Sequence, residues 1–354
     1  MKLYTLLLAF LGLLPLVGFT QDSIPQKKVR ALVTPSLGYA PETSGTIGAV
    51  SLFNIDAYHD DTRPSFARSE ITYTLKNQIL WQNRWNYFTR KAIWNFTGLF
   101  DISKYIDNYY GIGPRTTLLD EVRYQNFRVA FEGYFNRKVF GQSYVGVGLR
   151  YNHQSHFEPL KDYVLSPDLI TANSLGGTIQ FMSDHRNDLV TPTSGHYVQV
   201  IQEVNGLIGS HAYARTVVDA RKYLTLDAKE KHILYLRGYH VSVWGEAPFY
   251  DYGLLGGDQN TRGYFFGRYR DQHLSVLQLE YRTPYWWRIG LAFFGGTGIV
   301  YPDLKSLGLR SFKPNAGVGF RFLFNRMDGT NLRVDYGIGE NGQRGIYLSF
   351  GESF

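Results

Sequence analysis

The chain has 354 residues, with 37 glycines, 16% aromatic residues, a formal net charge of +7 and no cysteine. Without cysteine there is neither a disulfide framework nor a lipid-attachment thiol, which excludes a small stapled secreted fold and a lipoprotein. The lysines and arginines are scattered along the chain and form no basic block, so the positive charge does not point to nucleic acid.

Met1 and Lys2 open a short basic region, Leu3 to Val17 is an almost unbroken apolar run, and Gly18 and Thr20 supply small residues before Gln21. This pattern predicts a secretory signal peptide over residues 1–20. The run falls short of the roughly 20 residues that a transmembrane helix needs, and no later stretch is long and uncharged enough to supply one. Residues 21–28, with Pro25 and two lysines, read as a short periplasmic tail, and residues 29–354 as one domain.

Strand-like runs follow in order: Val29 to Ala40, Thr46 to Ala57, Phe66 to Lys76, Gln78 to Phe88 and Lys91 to Phe100. After a longer connection come Glu121 to Phe135 and Ser143 to His153, then Ser174 to Ser183, His196 to Val204, Tyr213 to Leu224 and His232 to Val243. Beyond the longest gap, Gly245 to Gln272, lie Leu274 to Arg282, Arg288 to Val300 and three closing strands. The closing strands alternate most clearly. Val318, Phe320 and Phe322 oppose Gly317, Gly319 and Arg321; Leu332, Val334, Tyr336 and Ile338 oppose Arg333, Asp335, Gly337 and Gly339; Ile346, Leu348 and Phe350 oppose Tyr347, Ser349 and Gly351.

A period of two fits a soluble sandwich as well as a barrel. The exported N-terminus selects the barrel, whose strands carry one lipid face and one wet face. At about 21 residues per strand and connection, the mature length supplies about sixteen strands. The expected fold is therefore an all-β, transmembrane antiparallel β-barrel of the outer membrane, in contact with its lipid. An even count places both termini in the periplasm, and the gap Gly245 to Gln272 and the connections near Asp101 to Asp120 and His156 to Asn173 on the outer side. Trp286 and Trp287 sit at a short turn, where an aromatic girdle would hold them at the membrane interface.

The longest connection contains Gly256-Gly257-Asp258-Gln259-Asn260-Thr261-Arg262-Gly263-Tyr264. An arginine inside a barrel needs a carboxylate at fixed geometry, and Glu280 shares the polar face of the next strand with Gln278 and Arg282, which makes it the candidate anchor for Arg262. Gly256, Gly257 and Gly263 let backbone pass close to the wall.

These residues, with Leu279 to Pro284 behind them, resemble the BamA/TamA superfamily of outer-membrane assembly and translocation barrels, the bacterial surface antigen family. Thr34 to Thr43, Tyr110-Gly111-Ile112-Gly113, Asp184 to Gly195 and Ala316 to Arg321 resemble other signatures of that family, in the same order. The resemblance implies that the Arg262-Gly263-Tyr264 loop enters the lumen. It also implies that Tyr347, Phe350 and the terminal Phe354 form the signal by which a barrel reaches the outer membrane, making this chain itself a client of the barrel-assembly machinery. Two departures stand out. Where the family carries an aspartate that also holds the loop arginine, Phe294-Gly295-Gly296-Thr297-Gly298 places Gly296. Either Glu280 carries the anchor alone or the loop is held less firmly. The expected absence of POTRA modules leaves the recruitment of a client, or of a periplasmic partner protein in their place, open.

No Gly-x-Ser-x-Gly elbow, phosphate loop or His-Glu-x-x-His helix occurs, so no enzyme, metal or cofactor is expected. His153, His156, His185 and His196 lie at strand ends without a convincing acidic or serine partner. Two functions remain: a barrel that assists insertion or translocation of proteins, or a passive pore or structural surface barrel.

Overall fold

The computed structural model describes residues 28–350 and Glu352, apart from residues 57, 59–61, 161–163, 167–169, 189–190, 210, 228–231, 309–310 and 324–330. The expected signal peptide of residues 1–20, most of the expected tail and Phe354 lie outside the described residues.

Sixteen antiparallel strands close into one barrel, each paired with its neighbour in sequence. They are β1 (Lys28–Ala40), β2 (Ser44–Asp56), β3 (Ser65–Thr74), β4 (Ile79–Phe88), β5 (Trp94–Tyr109), β6 (Val122–Phe140), β7 (Ser143–Pro159), β8 (Ala172–Asp184), β9 (Gly195–Ile208), β10 (Tyr213–Thr225) and β11 (Ile233–Gly245), followed by β14 (His273–Arg282), β15 (Ile289–Tyr301), β16 (Lys313–Leu323), β17 (Asn331–Gly339) and β18 (Arg344–Phe350). Between β11 and β14 the chain forms a separate two-stranded ribbon of β12 (Gly253–Leu255) and β13 (Tyr269–Asp271), which brackets the single-turn helix α1 (Gly257–Asn260).

The period-2 pattern sorts side chains as a barrel requires. Leu277 and Leu279 of β14, Val318 and Phe320 of β16, and Tyr336 and Ile338 of β17 are exposed on the outer face. Glu280, Arg321, Arg333 and Asp335, one residue out of phase, are buried on the inner face. Lipid takes the first set, and the second must be satisfied by the protein itself.

Three strands run further than their alternation indicates. The β5–β6 ladder continues past Phe100 to Tyr109↔Val122, β6 reaches Phe140, and β7 reaches Pro159. The connections expected at Asp101 to Asp120 and His156 to Asn173 therefore shrink to residues 110–121 and 160–171. The physical reason is an apolar filling on the inner side. For β5 and β7, Tyr109, Tyr124 and Phe157 close around the ring of Phe249, with centroids 5.5 to 6.5 Å apart among these contacts, while Lys104 and Arg123 are exposed on the opposite face of β5 and β6, so the apolar-out, polar-in alternation is lost at this end.

The long β11–β14 segment folds back onto the inner faces of the wall. Leu255, Tyr264 and Tyr269 from this segment form a buried cluster with Leu274 and Val276 of β14 and Val300 of β15. At the opposite end, Trp286 and Trp287 are exposed on the β14–β15 turn.

Candidate functional site

The site is built where α1 and the residues after it meet β14 to β18. Arg262 is 1% exposed, and its guanidinium donates from Nη2 to Glu280 Oε2 at 2.5 Å and from Nη1 to Asp335 Oδ2 on β17. The guanidinium carbon Cζ lies over the ring of Phe294 on β15, 3.5 Å from its centroid. Three further arginines share the two acids. Arg282 donates to Glu280 at 2.7 Å, Arg321 to Asp335 at 2.5 Å, and Arg333 to Asp335 at 2.9 Å. Arg333 also reaches Asp258 in α1, and Arg321 reaches Glu352. Four guanidinium groups are thus interleaved with four carboxylates, and the cluster is electrically balanced in an interior where an unpaired charge would be expensive.

Gly296 on β15 offers no carboxylate, and the second acid on Arg262 is Asp335 on β17, two strands away. The sequence alternatives, Glu280 alone or a looser loop, both give way to a two-acid arrangement. Asp335 was visible as an inward polar residue beside Arg333, yet nothing in the linear pattern ties β17 to a loop 73 residues earlier.

Glycines on the inner wall make room for the segment. A Cβ on Gly337 would lie 2.7 Å from the Arg262 carbonyl carbon, one on Gly339 2.6 Å from the Tyr264 ring, and one on Gly298 2.4 Å from Leu255. Gly263 has φ +110°, and its own Cβ would meet the Ile338 backbone at 2.6 Å, so only glycine fits there. Its amide donates to the Tyr347 hydroxyl at 3.1 Å, which in turn donates to the Tyr264 carbonyl at 3.3 Å. Tyr264 donates to the Pro314 carbonyl at 2.7 Å and accepts from the Glu340 amide at 2.9 Å. Asn315 closes the set by donating to the Arg262 carbonyl at 2.9 Å. Gly256 and Gly257 enter α1 with φ +114° and +81°. Tyr347 therefore touches the loop. Phe350 ends β18.

A second attachment, which sequence reasoning missed, lies upstream. Asp251 is 1% exposed and accepts from Arg150 at 2.5 Å, Asn152 at 2.8 Å, Ser174 at 3.3 Å and the Tyr213 hydroxyl. These partners come from β7, β8 and β10, on the other side of the barrel from β17.

The rim at the β1–β2 turn adds a third set of contacts. Glu42, in the β1–β2 turn, accepts from the Phe266 amide at 2.7 Å, Arg268 donates to Thr116 at 2.9 Å, and the Gly113 amide donates to the Arg270 carbonyl at 2.8 Å. Glu42 is buried, and desolvation pushes its carboxyl up to about 7, against the lowering hydrogen bond from Phe266. The Tyr110 to Gly113 and Thr34 to Thr43 motifs thus both end against this segment. Pro192 to Gly195 does not, and is held locally by Asn187, which accepts from the Thr193 and Ser194 amides.

The histidines lie elsewhere. His185 and His196 stack at 4.7 Å, and His156 lies 2.8 Å from Ser155. Among the described residues no group of three or more His, Asp or Glu could hold a metal ion.

Residues 81–354 match the Omp85 superfamily domain. The fold is similar to BamA from Haemophilus ducreyi lacking POTRA domains 1-3, with a TM-score of 0.61 at 12% identity over 91% of this chain and 70% of that one. It is also similar to CdiB from Acinetobacter baumannii, with a TM-score of 0.58 at 13% identity over 92% of this chain and 66% of that one. The comparison with curated proteins gave no match. A closed sixteen-strand barrel with this domain over most of its length places the chain among outer-membrane barrels, and it belongs to the Omp85 superfamily.

Proposed function

We propose that this barrel assists insertion or translocation of a protein at the outer membrane, using the β1–β18 seam as a template. The observation that carries this reading is an asymmetry in pairing. Among the described residues β1 is registered with β18 through Tyr39↔Leu348, whereas it is registered with β2 over thirteen pairs from Lys28↔Asp56 to Ala40↔Ser44. A sparsely paired edge presents free backbone donors and acceptors to an incoming strand.

In this reading the Arg262 loop is an anchored brace. It ties β14 to β17 through Glu280 and Asp335 and contacts β18 through Tyr347, so the panel beside the seam keeps its shape while the seam parts. Residues 1–20 act as a cleaved signal, both termini face the periplasm, and the end carrying Glu42 and Gly113 faces outward. Tyr347, Phe350 and Phe354 serve the chain's own delivery to the assembly machinery. A periplasmic partner recruits the client.

The passive-pore reading is disfavoured by the packing of Leu255, Tyr264 and Tyr269 into the interior. Photo-crosslinking groups at Leu37 and Leu348 test the seam in native membranes, where protein adducts are expected at both positions and their absence from both would sink the insertion reading. Conductance in planar bilayers tests the plug. Removing residues 256–264 should raise it, and an unchanged value would show that the segment blocks nothing.

A further inference from the structure

The outer face of β10, β11, β14 and β15 is hollowed where a barrel wall is ordinarily lined by side chains. The hollow is a groove of about 720 Å³ that opens to the membrane side, within the size range of ligand sites. Its floor is Ala220, Gly238 and Gly295, and Leu236, Leu277 and Leu279 stand around it as exposed outward side chains. Ala220↔Gly238 and Gly238↔Leu277 are direct cross-strand partners, so the floor runs along the hydrogen-bonding direction, oblique to the membrane normal because barrel strands tilt.

The glycine at the centre is not required by packing. A Cβ on Gly238 would meet nothing closer than Leu277 Cδ2 at 3.8 Å, whereas one on Gly48 in β2 would lie 2.2 Å from a backbone oxygen. Gly238 therefore leaves space that the protein does not use.

One end of the groove carries a lysine. Lys222 and His196 face each other across β10 and β9, both lining the groove, and Lys222 is exposed. Among the described residues no carboxylate pairs with Lys222. The next partners in the same row, Leu236 and Leu279, lie three residues inside the ends of β11 and β14, on the side where Trp286 and Trp287 are exposed. Interfacial tryptophans mark the headgroup level, so Lys222 sits where a lipid phosphate would be and the apolar floor where an acyl chain would lie.

We propose that this groove binds one anionic phospholipid, its phosphate at Lys222 and His196 and an acyl chain over Gly238. The proposal rests on placement in the membrane and not on the protein-insertion reading, and neither falls with the other.

Native mass spectrometry of the full barrel in detergent, supplied with phosphatidylglycerol or phosphatidylcholine, reads the site directly. The wild type should retain phosphatidylglycerol in preference. Lys222→Gln should reduce its retention about five-fold, the effect of one cation near a lipid headgroup, without changing phosphatidylcholine. Gly238→Leu, which fills the hollow, should reduce both lipids, and if it does not fold, Lys222→Gln decides alone. Equal retention of the two lipids by the wild type, an unchanged ratio in Lys222→Gln, or displacement of phosphatidylglycerol by excess inorganic phosphate would overturn the proposal, the last by reassigning Lys222 to a free-phosphate site.

Discussion

The guanidinium of Arg262 is stacked on the ring of Phe294, 3.5 Å from its centroid, and this leaves both ends of its planar fork free to engage acids on different strands. A lysine would offer one charge and no plane, so the stack, the two acids and the arginine form one unit.

Removing either acid leaves a buried guanidinium underpaired. Glu280→Gln and Asp335→Asn should each weaken docking of the loop by on the order of 3 kcal/mol, and the two effects should be non-additive because both act through Arg262. Limited proteolysis between Gly256 and Tyr264 reads docking. Arg262→Lys should resemble Arg262→Ala more than the wild type, and protection at the wild-type level in Arg262→Lys would show that charge alone suffices.

Gly263→Ala should free the loop without touching any charge. The substitution combines a positive φ with a Cβ 2.6 Å from the Ile338 backbone, so a cost above about 1 kcal/mol is expected. Protease sensitivity should rise as in Arg262→Ala, while the barrel keeps its heat-modifiable migration on gels. Equal protection in Gly263→Ala and the wild type would mean that β17 yields to the loop.

Asp251→Asn tests the upstream attachment separately. It should expose the segment near Phe249 and leave the Arg262 contacts in place, with thermal stability lowered by on the order of 3 kcal/mol because Arg150 loses a buried partner. Hydrogen exchange that loosened around Arg262 as much as around Phe249 would show that the two attachments are one cooperative unit.

Docking of the inner segment over the buried Glu42 should weaken as pH rises, because burial disfavours the ionised carboxyl more than the Phe266 amide favours it. Burial raises the Glu42 carboxyl from its ordinary 4.5 to about 7, with Asp258 adding to the rise and Lys76 opposing it. An acid with a raised folded value favours the docked state below 4.5 and loses that contribution as pH climbs through about 7. Protection of the Phe266 amide, corrected for intrinsic exchange, should fall across this window and be flat in Glu42→Gln. A fall of the same size in Glu42→Gln would assign the effect to another group.

The sixteen strands were legible because lipid imposes a strict alternation on the outer face, and Val318, Phe320, Leu277 and Leu279 keep to it. Where the inner face turns apolar, around Tyr109, Tyr124 and Phe249, that signal is lost and the strand ends were placed too early. Arg262 and Glu280 could be paired from composition and phase because they lie on consecutive elements. Asp335 and Asp251 could not, since their partners are set by barrel closure and by the path of the loop rather than by spacing. Gly337 and Gly339 read simply as small inward residues, and only the Arg262 backbone and the Tyr264 ring against them give their absence of side chains a purpose.

The braced panel has a mechanical consequence. Stiffness is distributed unevenly around the ring: β14 to β18 are cross-tied from within, while the β1–β2 hairpin is tied to the inner segment at its turn by Glu42 and Phe266. A force that parts the ring at the β1–β18 seam would meet the tied panel on one side and, on the other, a hairpin held to β3 from Thr46↔Thr74 to Ile55↔Ser65. The contact between Glu42 and Phe266 ties that hairpin's turn to the inner segment while Tyr347 ties β18 to it, so one docked segment steadies both edges of the ring's most sparsely paired join.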